Sequence, residues 1–203
     1  QASATYDSQR NRVVLFGGQT NGGELWEWDS VGGWAKKTTA TAPIARRYPV
    51  MGYDPTRHIT VMAGGSSVGN TDTWEYDGTD FTKITTAHTP NVFCGSLVYD
   101  TQLGKFVLFS TDTTVWEYDG TDWTKRLVAN ATSAQPQSFP TTGAEFNFDG
   151  RSPILFVTTD LSLWRLNANY GGCTSGAECP NGLLCTDSVC CTSKTCNPCE
   201  TCN

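Results

Sequence analysis

Short apolar runs recur along the chain at nearly constant spacing: VVLF (13–16), TVMA (60–63), FVLF (106–109) and PILF (153–156). A polar cluster precedes each run: DSQRN, DPTRH, DTQLGK and NFDGRS. Asp, Asn, Gly, Pro and Ser close hairpins, because they tolerate left-handed dihedrals or bond their own backbone. The pattern therefore predicts a strand, a tight turn and a second strand. The apolar runs alternate little, as expected of strands covered on both faces.

A third strand does alternate. Trp26 and Trp28, Trp74 and Tyr76, Trp116 and Tyr118, and Trp164 and Leu166 fall on one face, with Glu27, Glu75, Glu117 and Arg165 on the other. Trp34, Phe81 and Trp123 then anchor a fourth, outer strand. Aromatic rings bury roughly 150–250 Å² each, so these residues are expected to dominate the packing between neighbouring units. The phrases TWEYDGTDFTKI and VWEYDGTDWTKR, with the more divergent LWEWDSVGGWAKK, carry the same unit. Its register is marked by Tyr6-Asp7, Tyr53-Asp54, Tyr99-Asp100 and Phe146-Asn147, at separations of 47, 46 and 47 residues. Four strands at such a period predict β-propeller blades, wedges that bury their faces only against one another.

The diglycines Gly17-Gly18 and Gly64-Gly65, followed by the Trp/Tyr pair and an outer-strand aromatic, resemble kelch repeats. The resemblance covers residues 1 to about 169. It implies a diglycine turn at the end of the second strand and aromatics packed blade against blade. The third and fourth units depart from it, with Ser110-Thr111 and Val157-Thr158 in place of diglycine. Kelch propellers close with more than four blades. The expectation is thus an all-β chain of about four kelch-like blades, forming an incomplete or open ring that another copy or the rest of a larger polypeptide completes. Gln1 opens the chain with neither a basic stretch nor the apolar core of a leader, as expected of a mature product.

Composition changes abruptly near NANYGG. Residues 1–169 are expected to form the blades, and residues 170–203 a separate cysteine-rich segment. Cys173, Cys179, Cys185, Cys190, Cys191, Cys196, Cys199 and Cys202 lie there, and Cys94 stands apart. The segment has almost no apolar core, so it needs staples, each worth ~2–4 kcal/mol as a disulfide. CNPC and CETC also have zinc-ligand spacing. The adjacent Cys190-Cys191 pair and a tail without histidine weigh towards disulfides, whose pairing stays open. The tail also resembles cysteine-rich stretches that follow repeat domains in surface proteins of myxobacteria and related bacteria. Both readings imply an oxidising compartment, hence an extracellular or cell-surface location.

Charge narrows the partners. A net charge of −6 supplies no basic stripe for nucleic acid, and no apolar run approaches the roughly 20 residues of a membrane span. The DGTD motifs at 77–80 and 119–122 lack the run of oxygen ligands of a calcium loop and read as hairpin turns. His58 and His88 accompany no nucleophile motif and read as surface residues. Cys94 reads as a small buried hydrophobe, with a reactive thiol or a tail partner as alternatives. Glu27, Glu75 and Glu117 repeat with the blades and read as structural, with a shared cross-strand partner, rather than as a glycosidase pair. Arg10 and Arg57 follow Asp7 and Asp54 and read as turn residues. NAT at Asn130 fits a glycosylation sequon.

These observations predict no catalytic, metal or cofactor residue and a chain that is not an enzyme. The expected function is a secreted or cell-surface interaction or adhesion module that presents loops such as QTNGGE, SSVGNT and AHTPNVF to a protein or glycan. The alternatives are a structural subunit of an extracellular fibre or coat and, more remotely, a copper oxidase like some secreted kelch-fold proteins. Two histidines are few for such a copper site.

Overall fold

The computed structural model describes residues 2–18, 23–65, 71–92, 95–109 and 115–126, together with the backbone of five later strands. Three successive sheets have four antiparallel strands each, and no helix occurs among the described residues. The first blade comprises β1 (Ala2–Asp7), β2 (Arg12–Gly17), β3 (Leu25–Asp29) and β4 (Gly33–Lys37). The second comprises β5 (Val50–Asp54), β6 (Ile59–Ala63), β7 (Thr73–Tyr76) and β8 (Phe81–Ile84). The third comprises β9 (Ser96–Asp100), β10 (Lys105–Phe109), β11 (Val115–Tyr118) and β12 (Trp123–Arg126). Each is a meander in which sequence neighbours pair.

A fourth sheet contains β13 (Ala144–Phe148), β14 (Pro153–Val157) and β15 (Ser162–Arg165). Near the C-terminus, β16 (Leu184–Thr186) and β17 (Val189–Cys191) pair antiparallel, with Cys185 opposite Cys190. Cys94, Asn130 and the remaining tail cysteines, Cys173, Cys179, Cys196, Cys199 and Cys202, lie outside the described residues. So do most of QTNGGE and SSVGNT.

The core lies between blades rather than within them. Val14, Phe16 and Leu25 of the first blade pack with Met51, Met62, Trp74, Tyr76 and Phe81 of the second. Val50, Val61 and Ala63, from the other face of the second blade, pack with Leu97, Tyr99, Phe106, Leu108, Tyr118 and Trp123. Strand β6 thus sends Met62 to one cluster and Val61 and Ala63 to the other, as a period of two dictates.

That sandwiching is why β6 is buried almost throughout, and β10 is buried to the same extent. Strand β2 departs from the expectation of an apolar run covered on both faces. It alternates, with Val14 and Phe16 buried and Val13 and Leu15 half-buried, because among the described residues a blade packs on one of its faces only.

The outer-strand aromatics show the same asymmetry. Phe81 meets Phe16 edge-on at 5.5 Å and Tyr76 at 4.9 Å, while Trp123 stacks on Tyr118 at 4.9 Å. Trp34, their counterpart in the first blade, is 51% exposed. The partners of the buried rings include Phe16 and Phe106 from the apolar runs as well as third-strand residues. Trp74 is buried, whereas Trp26 and Trp116 are half-buried at the outer margin. Lys125 lies 5.9 Å over the Trp116 ring. The side chain of Trp164 is outside the described residues.

Candidate functional site

Both diglycines sit in left-handed backbone, where a side chain would strain the chain. Gly17 has φ 89° and Gly18 φ 125°, while Gly64 has φ 66° and Gly65 φ 106°. The second glycine of each pair donates to a linker carbonyl, Gly18 to Arg46 O at 3.1 Å and Gly65 to Val92 O at 2.9 Å. The turn that ends a second strand therefore ties that blade to the chain entering the next. Arg46 completes the tie. Fully buried, it donates to Asp72 Oδ1 at 2.6 Å and to Gly64 O at 3.0 Å. Nothing in the repeat pattern signals Arg46, because it lies in the linker outside the repeating phrase.

A second recurring device joins the inner ends of the blades. Asp7 closes the β1–β2 turn, its Oδ1 accepting from the backbone N–H of Gln9 and Arg10. Its Oδ2 accepts from Arg10 Nε at 2.6 Å, and Arg10 Nη1 reaches Glu27 Oε1 at 2.7 Å. Tyr76 of the second blade donates to the same Glu27 oxygen at 2.9 Å.

The next interface repeats the arrangement. Arg57 Nε meets Asp54 at 2.8 Å and its Nη1 meets Glu75 Oε1 at 2.7 Å, while Tyr118 donates to that oxygen at 3.1 Å. The arginines therefore do more than bond within their turns, and the glutamates sit under the following blade. Burial pushes the Asp7 carboxyl up, but the Arg10 bonds outweigh it and hold Asp7 below the ordinary carboxylate range. Burial, and then the Glu27 carboxylate, push the Tyr76 phenol well above its ordinary value, so it stays a donor.

The DGTD motifs are turns whose two aspartates divide the work. Asp77 accepts from the N–H of Thr79 and Asp80, and Asp119 from those of Thr121 and Asp122. The second aspartate holds the incoming linker: Asp80 accepts from Thr41 N and Asp122 from His88 N. His58 stands in the β5–β6 turn with φ 60°, its Nδ1 3.4 Å from the Tyr53 hydroxyl. Among the described residues no three His, Cys, Asp or Glu side chains group as a metal site would require.

The inner strands β1, β5 and β9 enclose a cavity of about 530 Å³. Hydroxyls line it: Ser3, Thr5, Tyr6 and Ser8 from the first blade, Tyr53 from the second, and Ser96, Tyr99 and Thr101 from the third. Val50, Met51, Leu97 and Val98 supply apolar wall. Among the described residues that line it, none is an acid, a lysine, an arginine or a histidine.

Burial and the Asp7 carboxylate raise the Tyr53 phenol. Burial raises that of Tyr99, its bond with Thr56 opposes the rise, and the Asp54 carboxylate adds to it. Both stay neutral donors. The volume falls within the roughly 300–1,000 Å³ of small-ligand sites. Such a surface can donate to and accept from neutral polar groups while a tyrosine face covers apolar ones. The loops singled out from sequence do not supply these residues. The inner strands do, and the sole sequence signal is the spacing of small hydroxyl residues along β1 and near the ends of β9.

No family description and no curated protein matches the chain. Solved structures do. "Structure of YjhT" aligns over 81% of this chain and 64% of its own, with 11% identity and a TM-score of 0.54. "YCF48 bound to D1 peptide" aligns over 89% and 58%, with 11% identity and a TM-score of 0.45. A virginiamycin B lyase from Staphylococcus aureus aligns over 81% and 54%, with 7% identity and a TM-score of 0.44. The chain thus spans less than two thirds of the length of each. The expectation that the chain is not an enzyme is corrected: the fold shared with "Structure of YjhT" is one that hosts unrelated functions, so the inference from repeated blades to an absence of catalysis fails. What the likenesses establish is architecture: the chain has a β-propeller fold.

Proposed function

We propose that the chain is an interaction module, a kelch-type propeller segment that binds a glycan or similar polyhydroxylated ligand in the cavity between its inner strands. The observation that carries this reading is the lining: hydroxyls from three blades, two aromatic phenols held neutral, and no ionised group among the described residues. Sugar hydroxyls both donate and accept, and each serine, threonine or tyrosine can answer either way. Tyr6, 52% exposed with its hydroxyl 3.0 Å from Asn11 Oδ1, offers a ring on which a sugar face can lie.

Residues 170–203 form, in this reading, a segment stapled by disulfides. Their density supports a secreted or cell-surface setting. The resemblance of that segment to myxobacterial surface proteins points the same way.

A glycan array followed by calorimetry on the strongest hit tests the proposal. Tyr6→Ala is expected to weaken binding about tenfold, equivalent to about 1.4 kcal/mol, with the fold unchanged by circular dichroism. An array without a specific hit, or a hit whose affinity ignores both Tyr6→Ala and Ser96→Val, overturns it.

A further inference from the structure

The hairpin of β16 and β17 carries three of the tail cysteines, and its register sorts them. Leu184 stands opposite Cys191, Cys185 opposite Cys190 and Thr186 opposite Val189. Successive residues of a strand take opposite faces, so Cys185 and Cys190 share one face and Cys191 lies on the other. Only Asp187 and Ser188 separate the two strands. The residues that flank such a two-residue loop exchange hydrogen bonds across it, which makes Thr186 and Val189 the bonded pair. Pairs alternate along an antiparallel ladder, so Cys185 and Cys190 occupy the next, non-hydrogen-bonded position.

That position brings facing residues closest. Its Cα atoms stand about 4.5 Å apart, inside the roughly 4.4–6.8 Å that a disulfide spans. The other pairings within the hairpin fail on the same backbone. Cys190 and Cys191 are neighbours in one extended strand and so take opposite faces, and Cys185 and Cys191 are on opposite faces as well.

We infer that Cys185 and Cys190 are joined by a disulfide across the hairpin, and that Cys191 bonds to a cysteine outside it. The inference rests on the reading of residues 170–203 as a disulfide-stapled segment and supplies its first pairing. The bond forms by exchange: one thiolate attacks a small-molecule disulfide such as oxidised glutathione, and the second displaces the glutathione left in the mixed disulfide. Two thiol protons and two electrons leave the protein, and the oxidant departs as two thiols. Two three-residue strands make a hairpin that is marginal in water by itself. The bond on one face holds its strands together, while Cys191 on the other ties the hairpin to the rest of the protein.

The test is a thiol and linkage map of the intact chain, oxidised in a glutathione redox buffer, alkylated without reduction, digested and read by electron-transfer fragmentation. Zinc is measured on the undigested protein. Peptides linked through Cys185 and Cys190, lighter by two hydrogens than their reduced forms, are expected, with Cys191 linked to a cysteine other than these two. Cys190→Ser is expected to take up one more alkyl group than the parent. Cys185→Ser/Cys190→Ser is expected to take up no more than the parent, because the pair is removed as a unit. Cys185 found alkylated or linked to any other cysteine, a Cys190–Cys191 link, or a double variant that takes up two more groups overturns the inference and leaves the stapled segment standing. Alkylation of all eight tail cysteines, or stoichiometric zinc bound to the protein through them, overturns both.

Discussion

The first and second blades are built from nearly the same phrase and bury it differently. In the second, Tyr76 and Phe81 are enclosed, because the Val14, Phe16 and Leu25 face lies over them. In the first, Tyr6, Trp28 and Trp34 occupy the equivalent face and are 52%, 37% and 51% exposed. The strand pattern and the turn-closing aspartates, Asp29 and Asp77, correspond in the two blades. Only the neighbour differs. A blade is therefore two half-cores, and each becomes a core only when another blade arrives, as expected of repeat architectures whose units contact only their neighbours.

The largest effect follows from that contrast. Phe81→Ala removes a ring packed on Phe16, Trp74 and Tyr76, and is expected to cost about 3–5 kcal/mol in urea denaturation. Trp34→Ala removes the equivalent ring where it is half in water, and should cost about 0.5 kcal/mol. Equal costs at the two positions would break the comparison, because they would mean that the first blade's face is covered in solution.

A smaller effect separates the polar ties from the apolar packing. Tyr76→Phe keeps the ring and removes the hydroxyl that donates to buried Glu27. The expected cost is about 1–3 kcal/mol, that of withdrawing a donor from a buried acceptor. Because Arg10 holds the same oxygen, a double-mutant cycle with Arg10→Met should return a coupling of about 0.5–3 kcal/mol. Strict additivity would show that the hydroxyl and the guanidinium act independently.

The blades were legible from sequence because their signal is local: Asp-rich turns, apolar runs and an alternating third strand repeat at a fixed period. What covers each strand is not local. Trp28 and Tyr76 read alike in sequence, and only the presence of Phe16 over the second blade distinguishes their surroundings. The glutamates were legible as a repeated set but not as buried acceptors, since their partners are an arginine from a different hairpin and a tyrosine from the following blade. Arg46 was invisible because a linker residue has no period. The cavity was hidden for a third reason: its walls come from strands far apart in the chain, and serine or threonine on an inner strand reads as ordinary β-propensity.

The smallest effect compares the linkers entering the second and third blades. Both are held by the second aspartate of a hairpin turn, Asp80 under Thr41 and Asp122 under His88. Only the second case adds a side chain, His88 Nδ1, 2.7 Å from Asp122 Oδ2. The His88 backbone N–H, then its ring, hold the Asp122 carboxyl down at about 2. A carboxyl depressed in the folded state stabilises above its unfolded value of 3.8, and that contribution fades as pH falls towards about 2. The carbon chemical shift of the Asp122 carboxyl should therefore titrate with a midpoint near 2. In His88→Ala the backbone bond persists and the ring does not, so the midpoint should rise while staying below 3.8. A midpoint that does not move would assign the whole depression to the backbone, and the linkers of the two blades would then be held in the same way.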